Sequence, residues 1–312
     1  MTKTALYRSP VFANHDEPSH VENQRRLHAV DAALERSGLL VDRPQPDFES
    51  ATFEQLARVH DPRYIEALTR AAEQGGGWID NDTYLGPHSV EVAALGAGGA
   101  ISAVATILNG EQKKAFVLAR PPGHHARPSI GMGFCLFDTI AVGAAHALAL
   151  GIERIAIVDW DVHHGNGTQE IFWESSNVFF SSIHQWPLYP GTGAAGESGI
   201  GAGSGYTLNV PLAAGAGNER YLQVLDDVIL PRLRAYEPEL VMVSAGYDCH
   251  RDDPLGGMRV DEDGFAAMTA RLLDLAGETA DGRIVLVLEG GYDPPALGRS
   301  VVRTIQALDG AV

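Results

Sequence analysis

Asp161 and His163 stand two residues apart just beyond the apolar run Arg154–Val158, so in extended backbone their side chains leave on the same side. Asp248 follows a second apolar run, Leu240–Ala245. Two carboxylates and one imidazole leave an open position on a divalent ion, the plan of a catalytic rather than a structural zinc site. The donor set does not select zinc alone, since Fe(II) or Co(II) also suits it. Any one of these residues alone reads better as a capping or salt-bridging aspartate or a buried histidine. Crowded together at strand ends, their charges are costly to bury unless paired or bound to a cation.

More groups of this kind follow other apolar runs. His124 and His125 come after Pro121-Pro-Gly123, a turn sequence that sets backbone direction. Beside an activated water, one imidazole takes a proton while the other donates to the leaving group. Asp159 is a natural partner for one of them, because a carboxylate on an imidazole N–H fixes the tautomer and raises basicity. Tyr292, after two glycines, places a phenol where it can hydrogen-bond a developing oxyanion.

Six apolar runs are expected to be buried strands: Lys114–Ala119, Arg154–Val158, Val178–Ile183, Tyr206–Pro211, Leu240–Ala245 and Arg283–Leu288. Helical patterns lie at Val21–Ser37, Pro62–Glu73, His88–Leu108, Leu136–Leu150, Asn218–Ala235, Glu262–Ala276 and Pro295–Ala307. This alternation predicts an α/β protein with a parallel sheet covered on both faces. Four of the runs lead directly into the polar, Gly-rich segments just described, at the carboxyl ends where open α/β sheets bind ligands. No repeat or linker divides the 312 residues, so one domain over 1–312 is expected.

Bulk composition narrows the function classes. With 23 Lys+Arg against 40 Asp+Glu, the formal charge is −17, which argues against direct nucleic-acid binding. Runs such as Ile155–Val158 and Ile284–Leu288 fall far short of the roughly 18–20 residues of a membrane span, so none is expected. Two cysteines and an N-terminus without the apolar core of a secretory signal point to a cytoplasmic protein. Glycine stands out at 35 of 312 residues, and nine of these lie between Gly191 and Gly217.

The segments Arg120-Pro-Pro-Gly-His-His-Ala126, Asp159-Trp-Asp-Val-His-His-Gly-Asn-Gly-Thr-Gln169, Tyr189-Pro-Gly-Thr-Gly193, Gly246-Tyr-Asp248, Asp253-Pro-Leu-Gly-Gly257 and Leu288-Glu-Gly-Gly-Tyr292 occur in this order. Together they resemble the zinc-dependent histone deacetylase family, especially class II and bacterial deacetylase-like amidohydrolases. The resemblance implies the arginase/deacetylase fold, with a central eight-stranded parallel sheet flanked by helices, and a hydrolase acting on linear amides. It implies Zn2+ on Asp161, His163 and Asp248, with His125 as general base, His124 as its electrostatic partner or acid, Asp159 supporting His124, and Tyr292 polarising the substrate carbonyl. Phe134 and Tyr189 match the walls of an acyl-lysine tunnel, Gly133 leaves room for the alkyl chain, and Leu255 lies at the same entrance. A structural K+ maps by resemblance to Asp159, Asp161, His163, Ser182 and Ile183. The implied substrate is an acetylated lysine or another acetylated amine, removed through metal-activated water. Homo-oligomerisation is left open.

Asn166 stands where class I relatives carry a second aspartate, so His125 lacks a carboxylate partner and stays neutral more readily near pH 7. His20-Val-Glu-Asn-Gln-Arg-Arg26 keeps the His, Glu and final Arg of the family's N-terminal pattern but neither proline. Leu255 replaces the glutamate gatekeeper of eukaryotic polyamine-selective relatives, which favours acyl-lysine-like or uncharged substrates. An acetylpolyamine amidohydrolase is the alternative, because Asp16 and Glu17 add acidity to the N-terminal loop. A binuclear ureohydrolase would want a further aspartate where Gly165 stands. An inactive acyl-ligand-binding protein would have lost a metal ligand, the histidine pair or the tyrosine, and none is lost.

Overall fold

The computed structural model describes residues 3–311. Its strands, in chain order, are β1 (Ala5–Tyr7), β2 (Gly77–Trp78), β3 (Tyr84–Leu85), β4 (Lys114–Val117), β5 (Ile155–Asp159), β6 (Val178–Gln185), β7 (Thr207–Leu212), β8 (Leu240–Ala245) and β9 (Ile284–Leu288). The helices are α1 (Arg25–Arg36), α2 (Phe53–Leu56), α3 (Pro62–Glu73), α4 (Ser89–Leu108), α5 (Thr139–Ala149), α6 (Asn166–Ile171), α7 (Asn218–Val224), α8 (Leu230–Tyr236), α9 (Glu262–Thr279) and α10 (Pro294–Leu308). All pairings in the main sheet are parallel, in the order β1-β4-β9-β8-β5-β6-β7, while β2 and β3 form a small antiparallel hairpin. Strands β4, β5, β8 and β9 are buried at every position, which explains why they read as largely apolar runs without alternation.

The sheet has seven strands among the described residues, not eight. Beyond β1 the chain around Pro44 contributes one backbone bond, from Leu6 N–H to the Pro44 carbonyl at 3.0 Å. Pro44 and Pro46 carry no amide hydrogen, so this stretch cannot return the donors that a ladder needs. The β1 strand itself was not among the expected runs.

Helix positions follow the sequence patterns, with ends set by local chemistry. The helix expected from Val21 begins only at Arg25. Asp138 accepts from Ala141 N–H at 3.0 Å and starts α5 later than the apolar pattern suggests. The Asn218–Ala235 pattern is interrupted by a π turn at Leu225–Ile229, just before Pro231 removes an amide donor. Helix α4 is long and apolar enough to cross a membrane by length and composition, which the shorter runs considered above do not reveal. It packs instead against α5, β1, β4 and β9, with most of its surface inside the protein.

Sheet order is what assembles the chemistry. The four strands that end in polar segments, β4, β9, β8 and β5, lie side by side at its centre. Their carboxyl ends therefore open onto one shared face.

Candidate active site

Asp161, His163 and Asp248 converge beyond the ends of β5 and β8. His163 Nδ1 lies 3.1 Å from Asp161 Oδ1 and 3.0 Å from Asp248 Oδ2, and one donor atom from each residue falls within 4.8 Å of the others. Ligand atoms around a tetrahedral ion with bonds of about 2.0–2.1 Å stand ~3.3 Å apart, so the three donors fit a divalent metal. Asp161 and Asp248 are fully buried. Burial and the neighbouring Asp161 push Asp248 up to about 7, while His124 and His163 hold Asp161 low against the effect of burial. The site thus demands positive charge. Backbone amides orient the carboxylates: Val162 N–H donates to Asp248 Oδ1 at 2.7 Å, His163 N–H to Asp161 Oδ1 at 2.9 Å and Gly290 N–H to Asp161 Oδ2 at 2.9 Å. A Cβ at Gly290 would overlap Asp248 Oδ2, so only glycine permits this approach.

The histidine pair is differentiated by its partners. His124 Nδ1–H donates to Asp159 Oδ2 at 2.8 Å, and His124 Nε2 lies 3.8 Å from Asp161 Oδ1. Burial opposes charge on His124, but Asp159 and Asp161 hold it well above the usual histidine range. His125 Nδ1–H donates to Asn166 Oδ1 at 2.7 Å, which leaves Nε2 free to accept a proton. Burial, with the His124 and His163 charges beside it, holds His125 well below that range. The two imidazoles are thus biased in opposite directions, His124 towards the cation and His125 towards the neutral ring. Asp159 faces Ser182 across the β5–β6 register, with Ile183 next along the strand, so the residues of the potassium expectation lie at two neighbouring strand ends.

A cavity of about 240 Å3 leads to these groups, lined by Asp82, His125, Gly133, Phe134, His163, Leu188, Tyr189, Leu255 and Tyr292. All four residues expected at the tunnel are present. Phe134 adopts a left-handed backbone conformation (φ 71°), unusual for a side chain of this size. Its ring meets Tyr292 edge-on at 5.6 Å and His20 at 4.7 Å. Gly133 is required for a reason beyond substrate passage: it has φ 56°, and an added Cβ would run into the His125 ring. The acidic residue at this cavity is Asp82, with Asp80 beside it in the β2–β3 loop, rather than Asp16 or Glu17. Asp16 directs its carboxylate to Gln24, and Glu17 to Ser19.

Tyr292 is 9% exposed, and its amide donates to Asp253 Oδ2 at 2.6 Å. Beneath it, Arg26 Cζ sits 4.9 Å from the ring centroid, and Arg26 Nε–H donates to the Gly291 carbonyl at 2.7 Å. Arg26 is held by Glu22 at 2.9 Å, and Glu22 is itself clasped by Arg120 through bonds of 2.6 and 2.8 Å. A carboxylate this deeply buried is tolerable because both oxygens face guanidinium groups. The sequence keeps Glu22 and Arg26 at i,i+4 spacing, but Arg120 lies 98 residues from Glu22 and gives no local sign of the pairing. Asp82 and Asp80 likewise stand in a polar loop that carries no distinguishing pattern.

Residues 20–308 match the family described as histone deacetylase domain. The chain is 41% identical over 294 residues to a protein of Archaeoglobus fulgidus named "Probable deacetylase", covering 94% of this chain and 82% of that one. It is 41% identical over 308 residues to the "Histone deacetylase-like amidohydrolase" of Pseudomonas aeruginosa, covering 97% and 80%. The crystal structure of the HDA15 HD domain superposes with a TM-score of 0.96 at 37% identity, over 100% of this chain and 91% of that one.

Proposed function

The chain belongs to the histone deacetylase family, and from that premise we propose that it is a metal-dependent amide hydrolase removing acetyl or other short acyl groups from lysine-like amines. The observation that carries this reading is the convergence of Asp161, His163 and Asp248, the His124–His125 pair and Tyr292 on one aromatic-walled cavity.

Asp161, His163 and Asp248 would hold the ion, Zn2+ being the expected species and Fe2+ or Co2+ alternatives. Such an ion, when bound, polarises a carbonyl and lowers the pKa of water towards about 7. Phe134, Tyr189 and Leu255 enclose the alkyl stem of the acylated amine and exclude water from it. Neutral His125 takes a proton from the attacking water at Nε2. Tyr292, which lines the cavity, donates its hydroxyl to the carbonyl oxygen as negative charge develops there. Cationic His124, fixed by Asp159, stabilises that charge and supplies the proton needed by the departing amine. The cluster of Asp159, Asp161, His163, Ser182 and Ile183 supports the proposal of a structural K+.

The test is acetate release from an acetyl-lysine peptide by metal-stripped protein before and after adding Zn2+. Release that needs no metal, or no release after loading, overturns the reading. Acetylpolyamine hydrolysis is the second reading, favoured by Asp82 in the cavity wall with Asp80 beside it. Measuring kcat/KM for both substrate types on one preparation separates the two.

A further inference from the structure

Glu289 is fully buried and carries a carboxylate between two loops of the site. Its Oε2 accepts from Gly123 N–H at 2.6 Å and from His124 N–H at 3.1 Å, while Oε1 has no partner. Its backbone is held as well: Glu289 N–H donates to the Ala245 carbonyl at 3.1 Å, and the Glu289 carbonyl accepts from Arg26. Among the described residues, no other hydrogen bond joins 120–126, which carry the histidine pair, to 289–293, which carry Tyr292. None of the roles assigned above uses this side chain. Burying a carboxyl that meets no Lys or Arg partner is costly, and solubility gains nothing from it.

The geometry points to Glu289 as a positioning residue for the proposed reaction: its side chain ties the strand end that presents Tyr292 to the turn that presents His124 and His125. Two consecutive amides aimed at one oxygen fix the peptide planes of Gly123 and His124, and hence the direction in which both imidazoles leave the backbone. The proton acceptor and the phenol that must act on opposite sides of one carbonyl are then held at a set separation. Misplacement of such groups by about 1 Å costs on the order of 100-fold in rate. Burial pushes the Glu289 carboxyl up to about 8, so a neutral side chain with one accepting oxygen, as in glutamine, reproduces the interaction.

This assignment rests on the amide-hydrolase reading, and its test separates the two. In zinc-loaded protein, Glu289→Ala is expected to lower kcat by about 10- to 100-fold with KM within about twofold. Glu289→Asp, one methylene too short to reach both amides, should fall similarly and serves if the alanine variant does not fold. Glu289→Gln should recover most of the wild-type kcat. The imidazole 15N resonances of His124 and His125 should move in the Ala and Asp variants and stay near wild type in Gln, whatever substrate the enzyme prefers. Unmoved resonances in Ala and Asp, or equal losses in Gln and Ala, would overturn the role.

Discussion

Replacing Asn166 by aspartate keeps the side-chain volume and puts a carboxylate where the amide oxygen now accepts from His125 Nδ1–H at 2.7 Å. A negative charge about 4 Å from the imidazolium centre interacts by about 4 kcal/mol at an effective dielectric of ~20. That figure is an upper bound equal to about 3 pKa units, and carboxylates beside a cation usually shift it by about 1–3. In the proposed reaction His125 works in its neutral form, so rate is lost as pH falls through its pKa. Raising that pKa moves the loss to higher pH. The acid limb of kcat/KM should therefore climb by about 1–3 pH units in Asn166→Asp, with rate recovering on the alkaline side. The assay is a pH–rate profile of both zinc-loaded proteins on one acetyl-lysine peptide, read as apparent values for the interacting pair. Superimposable acid limbs from two folded proteins would refute the view that the lack of a carboxylate at position 166 leaves burial and the neighbouring imidazoles free to keep His125 neutral.

Tyr292→Phe removes only the hydroxyl proposed to donate to the carbonyl, and kcat on the same peptide should drop by about 100-fold or more while KM changes little. Asp248→Asn leaves a buried donor set with one carboxylate, so zinc content per chain by elemental analysis should fall well below that of wild type after dialysis. His60 is 2% exposed, accepts from Asp138 N–H at 2.9 Å through Nε2 and donates from Nδ1 to the Arg127 carbonyl at 3.1 Å, a pattern open only to the neutral ring. Burial lowers it to about 4, below its unfolded value of 6.5, so its contribution is complete above about pH 6.5 and is lost as pH falls towards 4. Urea unfolding should show about 2 kcal/mol of His60-dependent loss between pH 7 and 5, absent in His60→Gln; equal losses in both proteins would contradict this.

The candidate site was legible in the sequence because its side chains announced themselves by type and by place, just past apolar runs. Asp161, His163, Asp248, His124, His125, Asp159 and Tyr292 all converge as expected. That β4, β9, β8 and β5 are neighbours was not legible, because strand order is a property of contacts between distant segments. Nor was β1, whose three residues are too short to form a pattern, or the loss of an eighth strand beside Pro44. Arg120 and Glu289 meet partners far along the chain, so composition and spacing carry no trace of their contacts. The glycine surplus finds a partial explanation at Gly133 and Gly290, where neighbouring functional side chains occupy the space of a Cβ.

The two edges of the main sheet share a property that concerns other molecules rather than substrate. At one edge β1 is flanked by the stretch around Pro44 and Pro46; at the other, β7 contains Pro211, which pairs with His184 on its inner side. Proline offers no donor to an incoming strand, so each margin includes a position where a continued ladder would be interrupted. Sheet extension, the usual route from an exposed strand to aggregates, is disfavoured at these positions. Each margin of the seven-stranded platform thus carries a built-in break in the row of backbone donors it offers to other molecules.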